Sequence, residues 1–399
     1  MQNLRILSSK CGLVANRVST SLPNFDSVFR KSIFVDTGYA FKLPLPVVTG
    51  APFSIFSILS FYPGITKPII CQSAPRAAED DDTPDLSGFP QSSRGLFVFL
   101  CWSLFIGVWI SALVAPVFMV VCIAKGWWDG LLTFMLVWLA GGLLGFPHFP
   151  RFAEVVTSGI ESWFTKFKIH HEHTSKTSTD KPTIYCYHPH GLFSIGAGLL
   201  AANLVRRGEK VSLVTSGQMR WFNPILKLLL DMAGIDIVGA SPSEVRAAMA
   251  KGDRSLILVI GGYEEAVMTK DGEENIFINS RLGFVKYAMR YNYTLTPVYA
   301  FGENDLYECW DIAKGFRNLL ASWKIPIVFF RGDSWFPLFP IKTDEGMKIV
   351  VGEPVHVTAA HTREPTPDQL AHSHQEYVSQ LVQLYDRNNE NTNRKLMIH

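Results

Sequence analysis

From Gly95 to Ala124 the chain runs thirty residues without a charged side chain, GLFVFLCWSLFIGVWISALVAPVFMVVCIA. That exceeds the roughly 20 residues a helix needs to cross a hydrocarbon core, and it is longer than the buried helices of ordinary soluble domains. A second uncharged run, LLTFMLVWLAGGLLGFP at 131–147, follows after KGWWDG. So short a connection folds the two runs back as a helical hairpin, either transmembrane or re-entrant. Trp127 and Trp128 lie between them, where amphipathic indoles favour the headgroup region. Both ends of the hairpin then lie on one side, and Arg94, Arg151, Lys166 and Lys168 favour the cytosol for it. Composition agrees: only 18% of residues are charged, below the roughly 25% of soluble domains, so part of the chain belongs in lipid. A net charge of +2 lacks the basic bias a nucleic-acid binder needs, which excludes nucleic acid as a partner. The six cysteines, at 11, 71, 101, 122, 186 and 309, form no CxxC pair. They suggest neither a disulfide framework nor a zinc ribbon, and fit a reduced, cytosol-facing location.

An extension over 1–94 precedes the hairpin. Its first 35 residues set Arg5, Lys10, Arg17, Arg30 and Lys31 against the single acid Asp26, among many serines. That is the composition of an organellar transit peptide and equally of a plain polar tail. APFSIFSILSFYP at 51–63 is short for a bilayer span and reads as interfacial, and the Pro-, Ser- and acid-rich stretch at 71–95 reads as a linker. The organisation expected is extension 1–94, hairpin 95–150 and an α/β domain over 151–399.

Beyond residue 180 apolar strands alternate with helical segments. Strands are expected at 183–187, 211–217, 235–240, 255–262, 294–302 and 347–355, and helices at 192–208, 223–234, 241–252, 280–292 and 366–388. Ser241, Pro242 and Glu244 make a capping box with proline at the first helical position, and Thr366, Pro367 and Gln369 repeat it. Near-continuous apolar strands separated by helices imply a largely parallel sheet flanked by helices on both faces.

Ligands of such sheets bind beyond the carboxyl ends of the strands. The tetrapeptide His188-Pro189-His190-Gly191 falls at one such end. If the backbone stays extended, its period of two points both imidazoles the same way. Pro189 keeps His188 out of a helical conformation and Gly191 frees the turn into the next helix, whose terminal N–H groups are suited to an oxyanion. The chemistry indicated is a histidine base taking a proton from a hydroxyl as it attacks an acyl carbonyl. The bland alternative is a pair of imidazoles capping a strand end.

Gly261 and Gly262 end another strand ahead of Glu264 and Glu265, where a carboxylate is suited to orienting an imidazole. Arg281, Lys286 and Arg290 are suited to phosphates or to a solvated helix face. The HHEH run, with His170, His171 and His173, lacks partner cysteines at metal-site spacing, and no metal is expected.

HPHG at 188–191, GGxxE at 261–265, SRLGFVKYAMRYNYTLTPVYAFGEN at 280–304 and VVGEPV at 350–355 together resemble the type-2 diacylglycerol acyltransferase family, which includes monoacylglycerol and wax-alcohol acyltransferases. The likeness covers about residues 95–388. It implies a glycerolipid-acyltransferase-like fold and acyl transfer from acyl-CoA, a co-substrate rather than a cofactor, to a glyceride hydroxyl. The expected setting is the endoplasmic reticulum membrane or a lipid-droplet surface, with room for a homo-oligomer. On this chain the family's histidine motif falls on His188–Gly191 and its glycine-glutamate motif on Gly261, Gly262 and Glu265; His190, nearer the helix terminus, is expected as the base, with His188 positioning it or sharing its role and Glu265 orienting or polarising it. Pro189, Gly191, Gly261, Gly262, Arg281 and Lys286 are the substrate-binding candidates. The family's tyrosine-phenylalanine-proline motif is absent, WFTKFKIHHEH standing in its region, and Tyr263 and Glu264 replace small residues after the two glycines. The rival is acyl transfer to a lysophospholipid or a long-chain alcohol. Phospholipid-type enzymes place an aspartate after a four-residue run from the histidine, and counting on from His190 that place holds Ile195. A non-catalytic lipid-binding membrane protein is the alternative from another class.

Overall fold

A helix of 35 residues, α1 (Gln91–Lys125), turns at Gly126 into α2 (Trp128–Leu143). In this computed structural model the described residues are 91–173, 181–270, 272–310, 328–357, 364–391 and 393–399. The transit-like segment, the interfacial run at 51–63 and the linker as far as residue 90 lie outside them. The stretch Ser93–Ala112 is long and apolar enough to cross a membrane. The two halves of α1 have different surroundings. Trp102, Ile106 and Val108 are buried against the rest of the chain, whereas Val114, Val117, Val120 and Ile123 are more than half exposed. No residue of α2 is buried.

The rest is an α/β assembly. Helix α3 (Pro150–Glu161) leads to β1 (Phe167–His171), β2 (Thr183–His188), α4 (Ile195–Arg206) and β3 (Val211–Thr215). Then come α5 (Gly217–Phe222), α6 (Pro224–Met232), β4 (Asp236–Gly239), α7 (Pro242–Lys251), β5 (Ser255–Val259), α8 (Gly262–Met268) and β6 (Glu274–Ile276). After α9 (Gly283–Tyr291) and β7 (Thr294–Phe301), the chain forms β8 (Glu308–Trp310), β9 (Phe329–Arg331), β10 (Met347–Val351), α10 (Pro367–Asn388) and β11 (Leu396–Ile398).

Seven strands form the main sheet in the order β1-β10-β7-β2-β5-β3-β4. The five from β7 to β4 are mutually parallel, as the alternation of strands and helices predicts. β10 is antiparallel to β7, so the sheet is mixed at that edge. The reason is the connection. The stretch between Phe301 and Met347 contains the antiparallel pair β8–β9, and the chain returns at the end it left, pairing Lys348 with Phe301. A parallel neighbour needs a crossover to the opposite end. The polar-looking FKIHH run proves to be edge strand β1, paired with β10.

Side chains alternate along β2 and divide the core in two. Tyr185 and Tyr187 join the cluster that contains α1 and α4, while Ile184 and Cys186 join the one that contains α9 and α10. On α10, Tyr377, Leu381, Leu384 and Tyr385 recur at helical spacing and are at most 1% exposed, each contributing about 1.5–3 kcal/mol by burial. Thr366 and Gln369 make the expected reciprocal box. At Ser241 only one arm of the expected box forms: Ser241 Oγ accepts from Glu244 N at 3.3 Å, while the Glu244 carboxylate accepts from Gly239 N and the Ser241 hydroxyl.

Candidate active site

Three motifs far apart in sequence meet because three neighbouring strands end together. β2 ends in HPHG, β5 runs into Gly261-Gly262, and β7 runs into Gly302-Glu303-Asn304. In the sheet these strands lie side by side as β7-β2-β5.

His188 is the last residue of β2, fully buried, with Nε2 3.3 Å from the Tyr377 hydroxyl. The His188–Pro189 bond is cis, and the chain leaves the strand there, with Gly191 at φ 59°. Because β2 ends at His188, the expectation that one extended strand carries both rings is corrected; the two rings meet different groups. The His190 ring is half-buried, and its Nδ1 lies 2.8 Å from the Gly191 carbonyl. A carbonyl only accepts, so Nδ1 carries the hydrogen and Nε2 is the basic nitrogen. Burial lowers the pKa of this imidazole, outweighing the Gly191 bond and the Glu265 charge that raise it. At neutral pH the ring is an unprotonated base.

Glu265, only 1% exposed, holds the loop rather than the His190 ring. Its Oε1 accepts the His190 backbone N–H at 2.5 Å, its Oε2 accepts from Phe277 N at 3.1 Å, and Oε2 lies 3.9 Å from His188 Nδ1. Glycine at 261 is what admits this carboxylate, because a Cβ there would collide with it.

A second buried acid grips the loop from behind. Glu303, 2% exposed, accepts from the Tyr187 hydroxyl at 2.7 Å, from Ile195 N at 2.9 Å and from Gly196 N at 3.0 Å. The N-terminal amides of α4, expected to serve an oxyanion, are thus occupied by a carboxylate. Burial pushes the Glu303 carboxyl up to about 7 even though all three donors favour its charge. Gly191 makes room for it, since a Cβ there would meet Glu303 Cγ at 2.6 Å.

A family model described as diacylglycerol acyltransferase matches residues 147–397. The chain belongs to that family. The match begins after the hairpin and contains all three strand-end motifs. Diacylglycerol O-acyltransferase 1 of Schizosaccharomyces pombe is 30% identical over 242 residues, 56% of this chain and 68% of that protein. Diacylglycerol O-acyltransferase 2 of Dictyostelium discoideum is 33% identical over 223 residues, 52% of this chain and 66% of that protein. The Bos taurus protein of the same name is 29% identical over 235 residues, 54% of this chain and 63% of its own length. No solved structure matches the chain. Membership makes the protein an acyltransferase.

Within this acyltransferase the remaining candidates divide. Arg281 reaches the glycine motif: its guanidinium is 3.4 Å from the Gly261 carbonyl, 2.6 Å from Glu264 Oε2 and over the Phe277 ring. Glu264, one of the two departures after the glycines, is therefore a surface partner of Arg281. Lys286 is not brought to the cluster. It shares Glu364 with Arg290, at 2.7 and 2.8 Å, on the exposed side of α9. In the HHEH run His171 lies 3.3 Å from Asn203 Oδ1 and Glu172 pairs with Arg387 and Asn388. Among the described residues no three potential ligand side chains gather as a metal site. Glu303, Tyr187 and Tyr377 went unassigned from sequence, although FGEN at a strand end is the same kind of signal that singled out HPHG.

Proposed function

We propose that the chain transfers an acyl group from acyl-CoA to the hydroxyl of diacylglycerol, forming triacylglycerol, with His190 as general base. The carrying observation is the His190 ring itself. It is half-buried and kept neutral, its Nδ1–H is committed to the Gly191 carbonyl and its Nε2 is left basic. Nε2 takes the acceptor's hydroxyl proton while that oxygen attacks the thioester carbonyl. The tetrahedral intermediate expels the thiolate, which takes the proton back from the imidazolium and leaves as CoA. The thioester is already activated, so no acyl-enzyme is needed. His188 and Glu265 act as positioning residues, one walled in beside Tyr377 and the other bonded to the His190 amide.

The exposed apolar side chains of α1 and α2 support insertion of the hairpin into a bilayer. With the first half of α1 packed on the α/β domain and α2 only 16 residues long, a re-entrant hairpin fits better than two full spans. The catalytic domain then sits on the cytosolic surface of the endoplasmic reticulum, where acceptor and product stay in lipid and CoA leaves into water.

The test is His190→Ala in isolated membranes given labelled acyl-CoA and, separately, diacylglycerol, monoacylglycerol, a long-chain alcohol and a lysophospholipid. Triacylglycerol formation should fall by about 10²–10⁴-fold with membrane insertion intact. Unchanged turnover would refute the role of His190, and a dominant product from another acceptor would refute the substrate.

A further inference from the structure

We propose that the loop Asp333–Leu338 is a second membrane contact, seating Trp335 at the boundary between headgroups and acyl chains. This rests on the proposed insertion of the hairpin. The loop reads DSWFPL, and its apolar side chains are turned outward: Trp335 is 89% exposed, and Phe336 and Leu338 are each 42% exposed. An indole so exposed on an ordered loop marks a contact surface rather than leftover core.

Three observations assign the partner. The loop is rigid and closed on itself. Gly332 N donates to Pro337 O at 2.7 Å, Asp333 N to Phe339 O at 2.8 Å, Phe339 N to Phe336 O at 2.8 Å, and Trp335 N to Asp333 Oδ1 at 2.9 Å. With these backbone donors satisfied inside the loop, moving it into a less polar medium strips little hydration from its N–H groups. Its root is fixed by Phe339, 3% exposed, which packs on Trp102 of α1 and on Trp163.

Second, the patch is continuous with the hairpin. Phe336 meets Phe99 of α1 edge-on at 5.0 Å, beside Leu96 and Leu100, which are 59% and 47% exposed. The exposed apolar side of α1 therefore extends onto the loop. Third, the tip offers tryptophan, phenylalanine, proline and leucine with one acid, Asp333, whose carboxylate is tied to Trp335 N. Tryptophan is the side chain most suited to the interface, with an apolar body and one N–H for the headgroups. The loop and the hairpin beside it would then give the domain one broad contact with the bilayer, which limits its tilt.

The experiment uses the full chain in phosphatidylcholine vesicles. An environment-sensitive fluorophore is attached through Trp335→Cys or, in a second sample, through Leu136→Cys on α2, and the signal from the unsubstituted chain treated alike is subtracted. The expected result at 335 is blue-shifted emission quenched at least about twofold more by lipids spin-labelled near the glycerol than by iodide in water. Iodide-accessible emission at 335 with lipid-quenched emission at 136 would overturn the loop contact and leave the hairpin standing. Protection at 335 from both quenchers would also overturn it, since protein rather than lipid would then cover the loop. Lipid quenching at 335 with water exposure at 136 would refute the hairpin, on which a second contact rests, and so overturn the proposal.

Discussion

Glu303 offers the most quantitative test of how the HPHG loop is held. Its carboxyl is buried, accepts three hydrogen bonds and is pushed up to about 7, from an ordinary 4.5. A folded-state value above the unfolded one means that the native state binds this proton more tightly. The associated stability is fully present below pH 4.5 and is lost as pH rises through 7. Between pH 5 and pH 8 the loss is about 2–3 kcal/mol. Glu303→Gln removes the titration. It also leaves one of the two α4 amides without an acceptor, a pH-independent cost of about 1–3 kcal/mol.

The two effects separate in a measurement. Unfolding midpoints of the detergent-solubilised wild type and of Glu303→Gln should be compared at several pH values. The wild type should lead at pH 5, and its lead should shrink by about 3–5 °C towards pH 8. A difference that does not change with pH, or one that widens as pH rises, would show that Glu303 is not a buried acid holding its proton and would refute the proposed grip on α4.

Glu265→Ala strands the His190 and Phe277 amides, and kcat should fall about 10–100-fold as the base loses its placement. Glu265→Gln, which keeps one acceptor oxygen, should recover part of that, whereas equal loss in both variants would argue for a role of the charge itself. The pH profile of acyl transfer should fall on the acid side with a midpoint below the ordinary histidine value of about 6.5, since burial lowers the His190 pKa; a midpoint above it would refute the environment described. Lys286→Ala should leave activity within about twofold, because the residue is spent on an exposed pair with Glu364, and a large rise in KM for acyl-CoA would restore its phosphate-binding role.

What could be read in the chain beforehand depended on how local the determinant is. The N-caps of α7 and α10 are written within four residues each and appear because their hydrogen bonds involve only neighbours, although the full box closes only at α10, Glu244 being drawn to Gly239 N instead. Strands β2, β5 and β7 were legible because each is a nearly continuous apolar run. β1 was not, since FKIHH carries three cationic or titratable side chains and becomes a strand only because β10 offers it an edge. The antiparallel return of β10 was likewise invisible, being set by where a long excursion ends rather than by any residue in the strand. At the site, HPHG and GGxxE could be found as motifs, but their joint geometry could not. The carboxylate of Glu265 meets the backbone N–H of His190, and no side-chain pattern reports on a backbone partner 75 residues away.

The alternation along β2 also explains why two acids are needed. Tyr187 faces the α1–α4 side of the sheet and carries Glu303, while His188 joins Tyr377 on the α9–α10 side and lies next to Glu265. The loop that bears His190 therefore passes over the carboxyl end of the sheet with one buried carboxylate on each face: Glu303 fixes the helix that follows, Glu265 the backbone of His190. Either clamp alone would leave one end of the short His190–Ile195 segment free to shift, and near-attack placement is lost with displacements of about 1 Å. The division also gives that end two different sides. The exposed apolar hairpin joins the α1–α4 face, whereas Arg281 stands by Gly261 at the end of β5. On the proposed reading the lipid acceptor would approach His190 from the first face, and Arg281, paired here with Glu264, would have to exchange that partner to hold an anionic donor.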